Sequence, residues 1–220
     1  MRYTADKEVQ GRSKSVFREY VEAILIAVVL ALFIRAFVVQ AFKIPSGSMK
    51  PTLLVGDHIL VSKFSYGITI PFVDKQVAHF GNPERGDIVV FQYPVDPSKD
   101  FIKRVIGLPG DTVRVEDKHV YVNNRLLDEP YAVHSENRIL PANASPRDNL
   151  GPVVVPPNSL FVMGDNRDES YDSRFWSFVD MSALKGKAFI IYWSWNGEGE
   201  LTWRPEQSYI RWSRIGSVLH

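Results

Sequence analysis

Residues 23–42, AILIAVVLALFIRAFVVQAF, constrain the fold more than any other stretch, because only Arg35 and Gln40 among them are not apolar. As one helix the run would extend about 30 Å, the thickness of a bilayer's hydrocarbon core. A helix lying on a soluble domain would show a polar face, and residues 23–34 show none. Arg35 falls late in the run, where a long side chain reaches toward headgroups. The run is therefore expected to be a transmembrane helix. Val39-Gln40-Ala41 has the look of a small-residue cleavage site, but a polar leader of more than twenty residues and the interruption at Arg35 favour an uncleaved anchor. Arg2, Lys7, Arg12, Lys14 and Arg18 precede the run, whereas only Lys43 and Lys50 fall in the twenty residues after it. That bias orients residues 1–22 toward the cytoplasm and residues 43–220 to the outer side of the cytoplasmic membrane.

The 178 residues beyond position 42 suffice to bury a core without disulfides, and the chain has no cysteine to make one. A formal net charge of +1 speaks against nucleic acid as a partner. The five histidines, at 58, 79, 119, 134 and 220, show no ligand spacing. Short β-branched and aromatic runs bounded by Gly, Pro, Asn or Asp recur at 58–66, 86–94, 100–107, 111–117, 118–124, 158–164 and 187–195. Asp117-Lys118 and Asn123-Asn124 read as tight hairpin turns. Residues 67–85 and 134–158 read as loops. The fold class expected is mainly β: one N-terminal transmembrane helix followed by a β-rich, partly barrel-like domain.

IPSGSMKPTL, residues 44–53, directly follows the apolar run and reads as an exposed turn. A serine there is a nucleophile only if a neighbour accepts its proton. No G-x-S-x-G elbow occurs, and no histidine lies in a catalytic context. A lysine serves if it is neutral, and burial favours that form. Lowering its pKa from about 10.4 to about 8 takes roughly 3 kcal/mol, within the reach of desolvation. In FIKRVIG, Phe101, Lys103 and Val105 share one strand face, and Ile102, Arg104 and Ile106 the other. Arginine does not release its proton, so Lys103 qualifies and Arg104 does not. Lys63, in HILVSKFSY, passes the same test, and spacing does not choose between the two lysines. A strand-edge lysine pointing into solvent is the plainer alternative for either.

Four blocks then carry a resemblance: IPSGSMKPTL, RGDIVVFQYP (85–94), IKRVIGLPGD (102–111) and MGDNRDESYDSRFW (163–176). In this order behind one apolar span, they resemble the bacterial type I signal peptidases, membrane-anchored serine proteases with a serine–lysine dyad. The resemblance implies Ser48 as nucleophile and Lys103 as general base. It implies the Ser46 hydroxyl and the Ser48 N–H as an oxyanion hole. Ser170 corresponds to the serine that orients the lysine, and Asp165, Asp172 and Arg174 to residues bracing the site, with Asp165 paired to Arg104. Ser177 and Asp180 depart from a frequent glycine and proline. The implied partners are preprotein signal peptides, cut after a small-x-small motif downstream of the export machinery, and the lipid bilayer. No cofactor and no metal are implied.

Taken alone, Asp165, Asp168, Glu169 and Asp172 would also suit a divalent cation. Interleaved Arg167 and Arg174 favour a self-neutralised loop. The aromatics Trp203, Tyr209 and Trp212 suit either a membrane interface or ordinary packing.

Overall fold

The computed structural model describes residues 16–66, 68–69, 76–78, 81–196 and 209–220. The chain opens with α1 (Val16–Phe33), whose apolar run supplies helix formers such as Leu and Ala. A π-helical turn, Ile34–Val38, follows, and then strand β1 (Val39–Lys43). This corrects the expected span. Residues 39–42 leave the helix because β1 pairs antiparallel with β2 (Asp57–Ser62), from Val39 opposite Ser62 to Lys43 opposite His58. Backbone pairing to a sheet overrides local helical pattern where β-branched residues make both states accessible. Among the described residues no helix is long and apolar enough to cross a membrane.

The remaining strands are β3 (Ile68–Thr69), β4 (Gln76–Ala78), β5 (Ile88–Tyr93), β6 (Asp96–Gly107), β7 (Thr112–Glu116), β8 (His119–Val122) and β9 (Arg125–Leu126). They continue with β10 (Leu150–Val154), β11 (Ser159–Met163), β12 (Val179–Asp180) and β13 (Leu184–Ser194). A one-turn helix, α2 (Ser173–Trp176), precedes β12. The larger sheet runs β1-β2-β13-β5-β6-β11-β12 and the smaller β10-β7-β8-β9, while β3 and β4 form a separate ribbon. Both larger sheets are antiparallel throughout and open at each end, so the mainly β expectation holds, and among the described residues no barrel closes.

Two expected loops contain strands. Residues 67–85 include the β3–β4 ribbon, and residues 134–158 include β10, which pairs with β7 across a bulge between Leu150 and Val153. Gly151 and Pro152 hid β10 in the sequence, yet an edge strand with a bulge accommodates both. The two hairpin turns are as read: Asp117 and Lys118 have φ of 47° and 71°, and Asn123 and Asn124 have 52° and 64°.

β5 sets the core's layering. Ile88 and Val90 pack with Met49, Leu53 and Ile191, and Val89 and Phe91 pack on the other side with Val105 and Leu160. A strand buried on both faces is apolar along its whole length rather than alternating. β6 lies beside it with Lys103 opposite Val89 and Arg104 opposite Ile88, so both charges are carried into the interior. α1 contributes nothing to these clusters: none of its residues is buried, and Ile26, Val29 and Leu30 stay more than half exposed.

Candidate active site

Residues 44–56 form a loop pinned at both ends. Ile44 N–H donates to Asp57 O at 2.8 Å and Gly56 N–H to Ile44 O at 3.0 Å. Ile44, Met49 and Leu53 are buried in the core, so the apolar positions of IPSGSMKPTL anchor what sequence alone reads as a free turn. Ser48, between these anchors, is 9% exposed, whereas Ser46 is exposed.

Lys103 Nζ lies 2.7 Å from Ser48 Oγ and donates to Ile102 O at 3.0 Å. The lysine is 4% exposed, and the Phe101 ring centroid stands 5.4 Å from its ammonium. Burial lowers its pKa from 10.5 to about 8, with Asp172 and Asp165 pulling weakly the other way. Period-2 alternation had placed Phe101, Lys103 and Val105 on one face, and Phe101 and Val105 do pack into a single cluster. Lys63, the alternative, is partly exposed at the end of β2. Its pKa is also lowered, by burial and by Lys185, but it is Lys103 that touches Ser48.

The opposite wall is residues 163–176, which contain Gly164-Asp165-Asn166-Arg167. Asp165 takes Arg104 through two bonds, Nε to Oδ1 at 2.9 Å and Nη2 to Oδ2 at 2.8 Å, with side-chain exposures of 2% and 0%. Asp165 Oδ2 also accepts from Thr52 Oγ1 at 2.5 Å, tying this wall to the Ser48 loop. Arg104 Nη1 donates to Gly86 O and to His220 O, at 2.8 and 2.6 Å. Asp172 receives Arg174 Nε at 2.9 Å and Nη2 at 2.8 Å and the Gly164 N–H at 3.0 Å. Burial, the largest single influence, pushes its pKa up, but the Arg174 charge and the hydrogen bonds the carboxylate accepts together outweigh it and hold the group below the usual range. Ser170 is buried, and its hydroxyl is not among the groups bonded to Lys103 Nζ. Among the described residues the Ser48 N–H donates to nothing, which leaves it open toward an incoming oxygen.

The acids of this loop are each engaged. Asp165 holds Arg104, Asp172 holds Arg174, and Asp168 holds Lys118 at 2.9 Å with Arg147 at 3.7 Å. Glu169 accepts from Asn166 Nδ2 at 3.0 Å. Of the three C-terminal aromatics, Trp203 lies outside the described residues. Trp212 is 66% exposed and meets Trp193 edge to face at 6.3 Å.

Several residues that complete the site carry no sequence signal of their own. Asn166 donates from N–H to Ser48 O at 3.1 Å and from Nδ2 to Gly47 O at 3.2 Å. Gly164 permits this approach, since a Cβ there would stand 2.4 Å from Ser48 O and 2.3 Å from Ser170 Oγ. Tyr131 lays its ring 3.9 Å from the Arg104 guanidinium, and Glu129 binds Arg167.

Comparison with known proteins places the chain in a family. Residues 17–193 match the family described as Signal peptidase, peptidase S26. A Signal peptidase I of Pseudomonas fluorescens is 40% identical over 231 residues, covering 91% of this chain and 78% of the relative. A Probable signal peptidase I-2 of Synechocystis is 40% identical, covering 93% of this chain and 86% of the relative. A crystal structure of a signal peptidase I from Enterococcus faecalis is 33% identical, with a TM-score of 0.39, covering 48% of this chain and 96% of that one. With four-fifths of its length matched and its serine turn closed over a buried lysine, the chain belongs to the peptidase S26 family of signal peptidases, and it is a serine endopeptidase of the signal peptidase I type.

Proposed function

We propose that the protein removes signal peptides from exported preproteins with a Ser48–Lys103 dyad, cutting after a small-x-small motif. The observation that carries this reading is a lysine amine 2.7 Å from a serine hydroxyl and 4% exposed. Neutral Lys103 accepts the proton of Ser48 as Oγ bonds to the scissile carbonyl carbon. The resulting ammonium returns that proton to the leaving amine as the C–N bond breaks, which leaves an acyl-serine and a neutral lysine. Lys103 then takes a proton from water, whose oxygen attacks the ester, and the ammonium protonates Ser48 on release of the acid. The Ser48 N–H and the Ser46 hydroxyl serve the oxyanion. Arg104, Asp165, Ser170, Asp172 and Arg174 hold these groups in place.

The base is competent only when unprotonated, so activity follows the neutral fraction of Lys103. Because burial brings its pKa to about 8, kcat/KM is expected to rise about tenfold per pH unit below pH 7 and to level off above pH 8 to 9. A pH–rate profile on a preprotein checks this; an acid limb still rising at pH 10 would mean that the base is an ordinary exposed lysine.

α1 supports a membrane-bound enzyme. None of its residues is buried, and Ile24, Leu25, Ile26 and Leu32 are each about three-fifths exposed. So much unpartnered apolar surface is unfavourable in water and favourable in lipid. We assign residues 1–22 to the cytoplasmic side and the β-rich domain to the outer face of the cytoplasmic membrane; because α1 by itself is not long and apolar enough to cross, the anchor is taken as its apolar end carried on through the π-helical turn Ile34–Val38. β1 then starts the catalytic domain where the anchor ends, and Ser48 lies close to the bilayer, where the substrate's own apolar segment ends. Tethering enzyme and substrate to one surface raises their effective concentration. Val29→Arg is expected to lower partition into phosphatidylglycerol-containing vesicles by on the order of 100-fold, since a central charge costs about 2.5–3.5 kcal/mol there. Unchanged co-sedimentation would rule the anchor out.

A further inference from the structure

Glu129 lies outside every motif that carries the family resemblance. Its side chain is 10% exposed and binds both terminal nitrogens of Arg167, at 2.5 and 2.8 Å, while Arg167 itself is 1% exposed. Two residues on, the Tyr131 ring covers Arg104 at 3.9 Å. Two further on, Val133 N–H donates to Asp165 O at 2.8 Å and Val133 O accepts from Arg167 N–H at 2.9 Å. Residues 129–133 thus grip residues 164–167 through both side chains and backbone. Residues 164–167 in turn hold the serine turn: Asn166 bonds the carbonyls of Ser48 and Gly47, and Gly164 lies against Ser48 O. Arg167 connects the two contacts, donating from Nε to Gly164 O at 3.1 Å.

We propose that Glu129 is a positioning residue of the peptidase reaction: by neutralising and clamping Arg167 it keeps residues 164–167 seated on Ser48, so that the serine hydroxyl stays in register with Lys103. This rests on the dyad reading above. A buried guanidinium deprived of its partner admits water or swings outward. Arg167 is bonded through its backbone to Val133 and through Nε to Gly164, so its displacement moves the two residues that touch Ser48. Lys103 does not follow, because it belongs to β6, paired on both sides in the larger sheet. Misplacing a reacting atom by about 1 Å costs on the order of 100-fold in rate, whereas the Glu129 carboxylate, engaged on Arg167, bonds neither Ser48 nor Lys103. The expected signature is a loss in kcat without a loss in KM.

The test is steady-state cleavage of a preprotein in detergent by the full chain as wild type, Glu129→Gln, Glu129→Asp and Ser48→Ala, with kcat expressed per folded molecule. Glu129→Gln is expected to lower kcat about 10- to 100-fold at a KM within about twofold of wild type. Glu129→Asp keeps the charge but is too short to reach both Arg167 nitrogens, and its kcat is expected between the two. A residue that only supports the fold would change the denaturation midpoint and leave kcat per folded molecule at the wild-type value; that result, or an effect on KM alone, overturns the proposal. Should Glu129→Gln fail to fold, Glu129→Asp decides, with wild-type kcat overturning the proposal and a drop of at least threefold at constant KM supporting it. Cleavage by Ser48→Ala would instead overturn the dyad on which the proposal depends, whereas an inert Ser48→Ala beside a fully active Glu129→Gln overturns the clamp alone.

Discussion

Ser48→Ala and Lys103→Ala are each expected to lower kcat for preprotein cleavage by on the order of 10⁴-fold or more, with little change in KM. Ser48→Ala removes the atom that forms the acyl bond. Lys103→Ala leaves a hydroxyl with nothing beside it to accept its proton. Because the two act as one unit, the double variant is expected to be no worse than either single one. Lys103→Arg separates charge from basicity: a guanidinium keeps its proton at any workable pH, so this variant is expected to be as inactive as alanine. Assay of purified enzyme in detergent with a preprotein decides all three, and substantial cutting by any of them would end the mechanism.

Asp165→Ala is expected to cost about 3–5 kcal/mol in stability, the largest structural effect of any single change in the site. Asp165 is fully buried, and among the described residues no other carboxylate bonds Arg104, which is itself 2% exposed. Removing the acid leaves Arg104 with two backbone carbonyls and the Tyr131 ring, which satisfy donors but do not neutralise charge. Thr52 also loses the acceptor that ties its loop to the opposite wall. Denaturant unfolding at neutral pH measures the loss. Asp165→Ala combined with Arg104→Met is expected to recover more than half of it, because no uncompensated charge then remains inside. A loss below about 1 kcal/mol for the single variant would mean that the pair is open to water.

Much of the catalytic half of the site was legible before any coordinates. A lysine set between Phe101 and Val105 on a strand satisfies a local rule, and period 2 alone decides which side chains share its face. Burial in the folded sheet then supplies the lowered pKa. Periodicity did not choose between Lys103 and Lys63, since both pass that rule, and only the family resemblance pointed to Lys103. What separates them is that β6 lies in the sheet interior between β5 and β11, while Lys63 stands where β2 ends. The apolar helix was read as running through residue 42 for a similar reason. Residues 39–42 are as apolar as those before them, and only β2, arriving from fifteen or more residues downstream, makes them a strand. Strand β10 was missed because Gly and Pro usually break strands, and its position at an edge was not visible in its own residues.

Chain-local chemistry determined by itself the apolar segment and the turn that carries Ser48, though not that turn's burial. It also determined the two left-handed hairpin turns, the β class of the domain, and the presence in one strand of a lysine able to lose its charge. The tertiary structure alone decided the contact between Lys103 and Ser48, which the family resemblance had only implied, where the helix gives way to β1, that the sheet stays open, and that Glu129, Tyr131 and Asn166 support the site. The difference is one of range. Periodicity, turn conformation and side-chain acidity are set by neighbours a few positions away, whereas desolvation and hydrogen-bond partnership depend on groups brought together from 55 residues apart for Ser48 and Lys103 and 61 for Arg104 and Asp165.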